Sequence, residues 1–155
     1  MPHELHFTQF IPATQEAVWK FFATPDNLNV LTPPELHFET LTKQDRMYAG
    51  QLIAYRIRLL PGIRVNWLTE ITHVREGTYF VDEQRAGPYR LWHHEHHFCE
   101  TKGGIEMTDH VTYLLPFAPL SEIVRRGWVR PMLHRIFAYR RRKIDAIFSS
   151  GAGTQ

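Results

Sequence analysis

The sequence is poor in the features that mark special environments or standard catalytic machinery. Its 155 residues contain one cysteine, Cys99, so no intramolecular disulfide can form; a chain without a disulfide framework is expected in a reducing, cytoplasmic setting. No stretch approaches the roughly 18 consecutive apolar residues of a spanning helix. The opening MPHELHFTQF has neither the basic region nor the apolar run of a signal peptide. The excess of charge is small, a formal +2, which argues against a nucleic-acid partner. Gly103-Gly104 reads as a hairpin turn, because neither a helix start nor Lys-Ser/Thr follows it as a phosphate loop requires. With no internal repeat, linker or low-complexity tract, residues 1–149 read as one domain and the small, polar residues 150–155 as a flexible tail.

Aromatic residues are plentiful: 10 Phe, 6 Tyr and 4 Trp. Rings on this scale suit an interior that encloses an apolar pocket. Residues 4–10 alternate like a strand. Thr14 then precedes Val18, Phe21 and Phe22 at helical spacing, and Thr24-Pro25-Asp26 restarts the chain into a second short helix carrying Leu28 and Leu31. Thr32-Pro33-Pro34 ends that helix, since proline removes a donor and disfavours helix before itself. Period-two runs follow at 36–42, 51–60, 63–74, 78–84, 89–100 and 105–115. Short breakers separate them, among them Pro61-Gly62 and Ala86-Gly87-Pro88, and short turns imply antiparallel pairing. After Pro116 and Pro119, with Ser121 as candidate N-cap, residues 121–149 carry Val129, Leu133, Ile136, Phe137, Arg140, Ile144, Ile147 and Phe148 near one stripe. Gly127 and Pro131 are expected to kink or split this helix near its start. The fold class is therefore α+β: a seven-stranded curved antiparallel sheet around a long C-terminal helix, with two short helices after the first strand.

Alternation assigns faces. Ile53, Tyr55, Ile57 and Leu59 share one face of their strand, Val65, Trp67, Thr69 and Ile71 one face of the next, and Phe80, Asp82 and Gln84 one face of the third. In 89–100 the rings of Trp92 and Phe98 carry His94 and His96 inward, leaving His93, Glu95, His97 and Cys99 outside. In 105–115, Met107, Asp109, Val111 and Tyr113 go together. Burying an unpaired polar group costs about 1–3 kcal/mol, so polar residues among inward rings are the pattern of a binding cavity. The expected walls are Tyr55, Ile57, Trp67, Phe80, Trp92, Phe98, Met107, Val111, Leu133 and Phe137. The expected polar anchors are Asp82, Gln84, His94, His96 and Asp109.

The string Gln84-x-x-Gly87-Pro88-Tyr89-x-x-Trp92-x-His94-x-His96-x-Phe98 adds a resemblance. So do Asn27-Leu28 to Leu31-Thr32-Pro33-Pro34, Trp67 with Ile71, Phe80 with Asp82, Asp109, Val111, Tyr113 and Pro116, and Phe137-Ala138-Tyr139-Arg140. Over nearly its whole length the chain resembles the START-like, helix-grip (SRPBCC) superfamily, and within it the bacterial cyclase/dehydrase-like ligand-binding group. The resemblance implies the helix-grip fold, known also from START and Bet v 1-like proteins, and a cavity between sheet and C-terminal helix. It implies no particular reaction, because the superfamily includes lipid-transfer proteins, hormone receptors, aromatases/cyclases and co-chaperones. Pro131 departs from its pattern.

Function is left with three readings. The first is a binding protein for a small, largely apolar molecule such as a lipid, a polyketide or another hydrophobic metabolite, working as a monomer or weak homodimer without a cofactor. The second is a cyclase/dehydratase-type enzyme, with His94 or His96 and Asp109 as acid/base candidates and Tyr55 or Tyr113 assisting. The third and weaker is an interaction protein using its basic C-terminal helix, where Arg125, Arg126, Arg130, Arg135, Arg140, Arg141, Arg142 and Lys143 gather; a solvated helix face is the preferred explanation of that charge. His94-x-His96 places two imidazoles about 6.6–6.8 Å apart on one face, and Asp109 could complete a two-His, one-carboxylate metal site. A hydrogen-bonded network bracing the cavity is the reading adopted, with no metal assigned.

Overall fold

The computed structural model describes residues 1–42, 46–60, 62–116 and 123–149. Strand β1 (His3–Ile11) leads into helix α1 (Gln15–Phe22), helix α2 (Asn27–Val30) and a 3-10 turn (Pro34–Leu36). Six strands follow: β2 (Glu39–Thr40), β3 (Gln51–Leu60), β4 (Ile63–Arg75), β5 (Tyr79–Ala86), β6 (Leu91–Thr101) and β7 (Gly104–Leu114). A π-helical turn (Arg125–Val129) then runs into helix α3 (Arg130–Ser149). The sheet is antiparallel with order β1-β7-β6-β5-β4-β3-β2. Register shifts occur between Arg58 and Leu60 of β3, and twice in the β4–β5 pairing, at Leu68/Thr69 and at Ile71/His73. An extra residue on one strand bends it and increases its twist, which is how a sheet curls around a helix.

The local signals explain the elements. The Thr14 hydroxyl accepts a hydrogen bond from the Ala17 N–H at 3.3 Å and caps α1; Val18 and Phe22 then face inward. The strand expected at 36–42 shrinks to Glu39–Thr40. Pro34 starts a 3-10 turn instead, and His37 takes the left-handed conformation at φ 42°, which extended pairing does not permit. The run expected from residue 89 begins at Leu91, because Gly87, Pro88 and Tyr89 form the turn. The expected kink at Gly127 and Pro131 takes the form of a wider helical turn. The Arg130 N–H bonds the Arg125 carbonyl, five residues back, and Pro131, which has no N–H to give, follows directly. The helix continues unbroken to Ser149. The N-cap assigned to Ser121, the turn at Pro61, the breaker Pro119 and the tail 150–155 lie outside the described residues, as does the side chain of Leu59.

Helix α3 buries Met132, Leu133, Phe137, Arg140 and Ile144. Gln9, on the inward face of β1, fastens it: its amide N–H donates to the Arg141 carbonyl at 2.9 Å and to Asp145 Oδ1 at 2.8 Å. The core has two apolar clusters. One joins the two short helices to Ile53, Phe80, Phe98, Ile105, Met107 and Ile144. The other joins Leu5, Tyr89, Trp92, Val111 and Tyr113 to Val129, Leu133 and Phe137. Strand β6 contributes Phe98 to the first and Trp92 to the second, with His94 and His96 between.

Candidate functional site: a ring-walled cavity with a His–Asp quartet

A cavity of about 180 Å³ lies between the sheet and α3. Ile53, Tyr55 and Ile57 of β3, Trp67, Thr69 and Ile71 of β4, and Phe80 and Asp82 of β5 form its sheet wall with Trp92, His94 and His96 of β6. Tyr89 joins them from the β5–β6 turn. Met132, Leu133, Ile136, Phe137 and Arg140 of α3 cover it. Phe21, Phe22, Leu28 and Leu31 close one side from the short helices, with Leu36, Phe38 and Met47.

One end of this apolar space is polar, and strand register builds it. His94 stands directly across from Asp82 of β5, and His96 directly across from Asp109 of β7. The shortest bond of His94 runs diagonally: Nε2 lies 2.8 Å from Asp109 Oδ1, while Nδ1 lies 3.5 Å from Asp82 Oδ2. For His96, Nε2 lies 2.9 Å from Asp82 Oδ2 and Nδ1 2.9 Å from Asp109 Oδ1. The second of these is too poorly aimed to be a hydrogen bond, leaving Nδ1 buried without one. Two imidazoles, their ring centroids 3.7 Å apart, are thus bracketed by two carboxylates. Aromatic rings fix them: Phe80 stacks on His96 at 4.1 Å, and Trp92 and Phe137 meet His94 edge-on. Arg140 adds a cation 3.8 Å from Asp109 and 5.5 Å from the Phe137 ring.

The electrostatics follow from burial and pairing. Burial drives the His94 pKa down, and the neighbouring His96 charge adds to this; the bond to Asp109 and the two carboxylate charges recover only part, leaving it at about 4. Burial also pushes His96 down, but the close Asp109 carboxylate and the hydrogen-bonded Asp82 outweigh it and hold His96 above the ordinary imidazole value. Burial raises Asp82, and His94, His96 and Arg140 more than offset it, so its carboxyl lies below the usual range. Burial raises Asp109, but the hydrogen bond with His94 and the nearness of His96 overcome it and hold its carboxyl well below that range. Near neutral pH Asp82 and Asp109 are carboxylates and His94 is a neutral imidazole, with the Arg140 guanidinium beside them and His96 the imidazole that holds a proton more readily. Tyr55, also on that wall, is pushed up by burial and by the Asp82 charge.

Of the expected site residues, Tyr55, Ile57, Trp67, Phe80, Asp82, Trp92, His94, His96, Leu133 and Phe137 stand on the wall. Five do not. Asp109 sits behind the imidazoles and orients them. Phe98 and Met107 pack into the first apolar cluster, and Val111 into the second with Tyr113. Period-two patterning assigns a face, and the curved sheet covers part of that face with α3 and part with empty space. Gln84 is bound elsewhere: its amide N–H donates to the Tyr89 carbonyl at 2.6 Å, and its Oε1 accepts from the Tyr89 N–H at 3.2 Å. A side chain at position 87 would collide with that amide, so the Gln84-x-x-Gly87-Pro88-Tyr89 string is a braced turn. Sequence reasoning left out Phe21, Phe22, Leu28 and Leu31; their helical spacing was visible, but not which side of the sheet the helices cover. Arg140 both lines the cavity and faces Asp109.

No family model matches the chain, and no curated protein matches its sequence. Solved structures do match. The Zhui aromatase/cyclase from Streptomyces sp. R1128 superposes with a TM-score of 0.76 at 12% identity, covering 100% of both chains. The chain has the helix-grip fold. Two further structures share this helix-grip architecture. Protein Ms6760 from Mycobacterium smegmatis has a TM-score of 0.69 at 20% identity, covering 96% of this chain and 92% of its own. Ara h 8.0201 has a TM-score of 0.63 at 16% identity, covering 94% and 99%. These likenesses bear out the helix-grip fold that the resemblance implied. Among the described residues of the helix-grip chain, no helix is long and apolar enough to cross a membrane.

Proposed function

We propose that the protein binds one small, largely apolar molecule in the cavity, with a polar group of that molecule directed at Asp82, His94, His96 and Arg140. The observation that carries this reading is the segregation of the wall. Trp67, Phe80, Trp92, Ile57, Leu133 and Phe137 present hydrocarbon, while Asp82, His94, His96 and Arg140 gather about Asp109 at one place on the wall. An apolar pocket with a few convergent polar groups is the usual form of a small-molecule site. The apolar wall supplies affinity by burial. The quartet supplies orientation, because a ligand hydroxyl, carbonyl or carboxyl can exchange hydrogen bonds with groups already fixed by their neighbours. The chemical class is that of a lipid-like or polycyclic metabolite with a single oxygenated end.

Titration with 8-anilinonaphthalene-1-sulfonate tests this. The expected result is one equivalent bound, with quenching of Trp67 and Trp92, and affinity at least roughly tenfold weaker, about 1.4 kcal/mol, when Ile57→Trp fills the space. Unchanged binding in a folded Ile57→Trp protein would exclude the cavity as the site. Native mass spectrometry of the protein from its own host, followed by denaturing extraction, then identifies the resident molecule.

A further inference from the structure

We propose that Asp82, His94 and His96 form a binding site for one divalent transition-metal ion, with Asp109 as the group that orients both imidazoles from behind. The donor atoms of these three residues lie within 4.8 Å of one another, and His94 and His96 are buried. The Asp82 Oδ2 atom stands 2.9 Å from His96 Nε2 and 3.5 Å from His94 Nδ1. Ligand atoms that share an ion at about 2.0–2.2 Å are separated by roughly 3 Å or slightly more, so the carboxylate already stands at ligand spacing from each imidazole. Asp82 of β5, on the cavity wall, completes this trio, while Asp109 approaches the imidazoles from the other side.

The outer contacts strengthen the argument. Each imidazole turns its remaining nitrogen to one oxygen of Asp109, His94 Nε2 at 2.8 Å and His96 Nδ1 at 2.9 Å. Metal-bound histidines commonly donate their other N–H to a carboxylate, which fixes the tautomer and ring orientation. Without an ion the arrangement is frustrated. Four ring nitrogens face two carboxylates, and giving a proton to every nitrogen would put two imidazolium cations at a centroid distance of 3.7 Å. Leaving one nitrogen bare sets its lone pair against a carboxylate oxygen. A cation on the Asp82 side would ease the conflict: two nitrogens and Oδ2 would turn their lone pairs to the ion, His94 Nε2 would keep its bond to Asp109, and His96 Nδ1 would stand beside the same oxygen as N–H. Two histidines and one carboxylate with open positions is a donor set for iron(II) or zinc(II), and the open positions would face the cavity.

The metal site shares Asp82, His94 and His96 with the anchors proposed for the organic ligand, so it is tested with the metal alone. Its test uses the full-length protein, stripped with EDTA and titrated with zinc chloride by calorimetry, with cobalt(II) chloride followed by its visible absorption. One equivalent of either metal is expected. Affinity should fall at least about 100-fold in Asp82→Asn and His96→Gln, and about 10–100-fold in Asp109→Asn, the range for orienting partners. A second trio, Glu4, His6 and His110, lies on the outer face, so binding that survives Asp82→Asn and is lost in His110→Gln would overturn the assignment. Absence of binding to the wild type would do the same. Because the variants remove buried partners, 15N spectra of histidine-labelled wild type decide without them. Zinc must shift the ring nitrogens of His94 and His96 and leave those of His6 and His110 in place; the reverse pattern rejects the proposal.

Discussion

Strand β6 carries the same chemistry on both faces, and the two faces behave differently. Inward, His94 and His96 meet Asp82 and Asp109. Outward, His93 lies 2.9 Å from Glu83 and 3.3 Å from Glu95, His97 lies 2.8 Å from Glu95, and His110 lies 3.5 Å from Glu95. The inner imidazoles are 4% and 3% exposed, while the His97 and Glu95 side chains keep 46% and 28% of their surface in water. Water screens the outer pairs and lets them exchange partners, so each contributes little. Inside, every charge depends on its neighbours, because no solvent replaces a lost partner. One sequence motif, histidine and acid in alternation, therefore produces a solvated surface on one side and a fixed polar cluster on the other.

The comparison is most sharply tested by removing one carboxylate from each side. Asp109→Ala should destabilise the protein by about 3–5 kcal/mol, since it strands His94, His96 and Arg140, whereas Glu95→Ala should cost less than about 1 kcal/mol; urea midpoints at equal m-values read both. Among apolar neighbours the contrast is Phe98→Ala, expected to cost roughly 3–4 kcal/mol through the cavity it leaves, against exposed Cys99→Ser, within about 0.5 kcal/mol. Gln84→Ala should cost about 1–2 kcal/mol for two turn-bracing hydrogen bonds. Its affinity for the naphthalene dye should stay unchanged, and a large loss would place Gln84 at the ligand after all.

The smallest effect appears at alkaline pH. Burial, with the Asp82 charge at Tyr55 and Tyr113 nearby at Tyr89, raises both phenols far above the ordinary value. A phenol whose folded pKa exceeds its unfolded one contributes stability that is complete below the unfolded value, near pH 10, and is lost progressively above it. Ionisation of Tyr55 and Tyr89, followed at 295 nm, should coincide with alkaline unfolding, and Tyr89→Phe should remove absorbance only from that step. An earlier step lost in Tyr89→Phe would show that water reaches the phenol.

Much of the inner face was legible before any coordinates. Trp92, His94, His96 and Phe98 announce their side by period two, and β3, β4 and β7 do likewise. The stripe of α3 is equally plain, although Pro131 suggested a break where the helix only widens by one residue. Less was legible where a backbone conformation is rare, as at left-handed His37, or where side chains bond a turn, as at Gln84. The site was legible in part. His94 and His96 could be paired with an inward carboxylate, and Asp109 was the partner chosen, whereas Asp82 also bonds His96 and is the one on the cavity wall.

By itself, the sequence determined what depends on near neighbours along the chain: the strand and helix periods, the faces they create, and the wealth of rings turned inward. These follow from 3.6-residue and two-residue repeats, which need no partner to be read. Only the tertiary structure decided which groups meet. The register of β5, β6 and β7 set each histidine between two aspartates, and the curvature of the sheet against α3 put Asp82 on the cavity wall and Asp109 behind it. Register and curvature arise from pairing between residues far apart in sequence, and no local pattern encodes that distance.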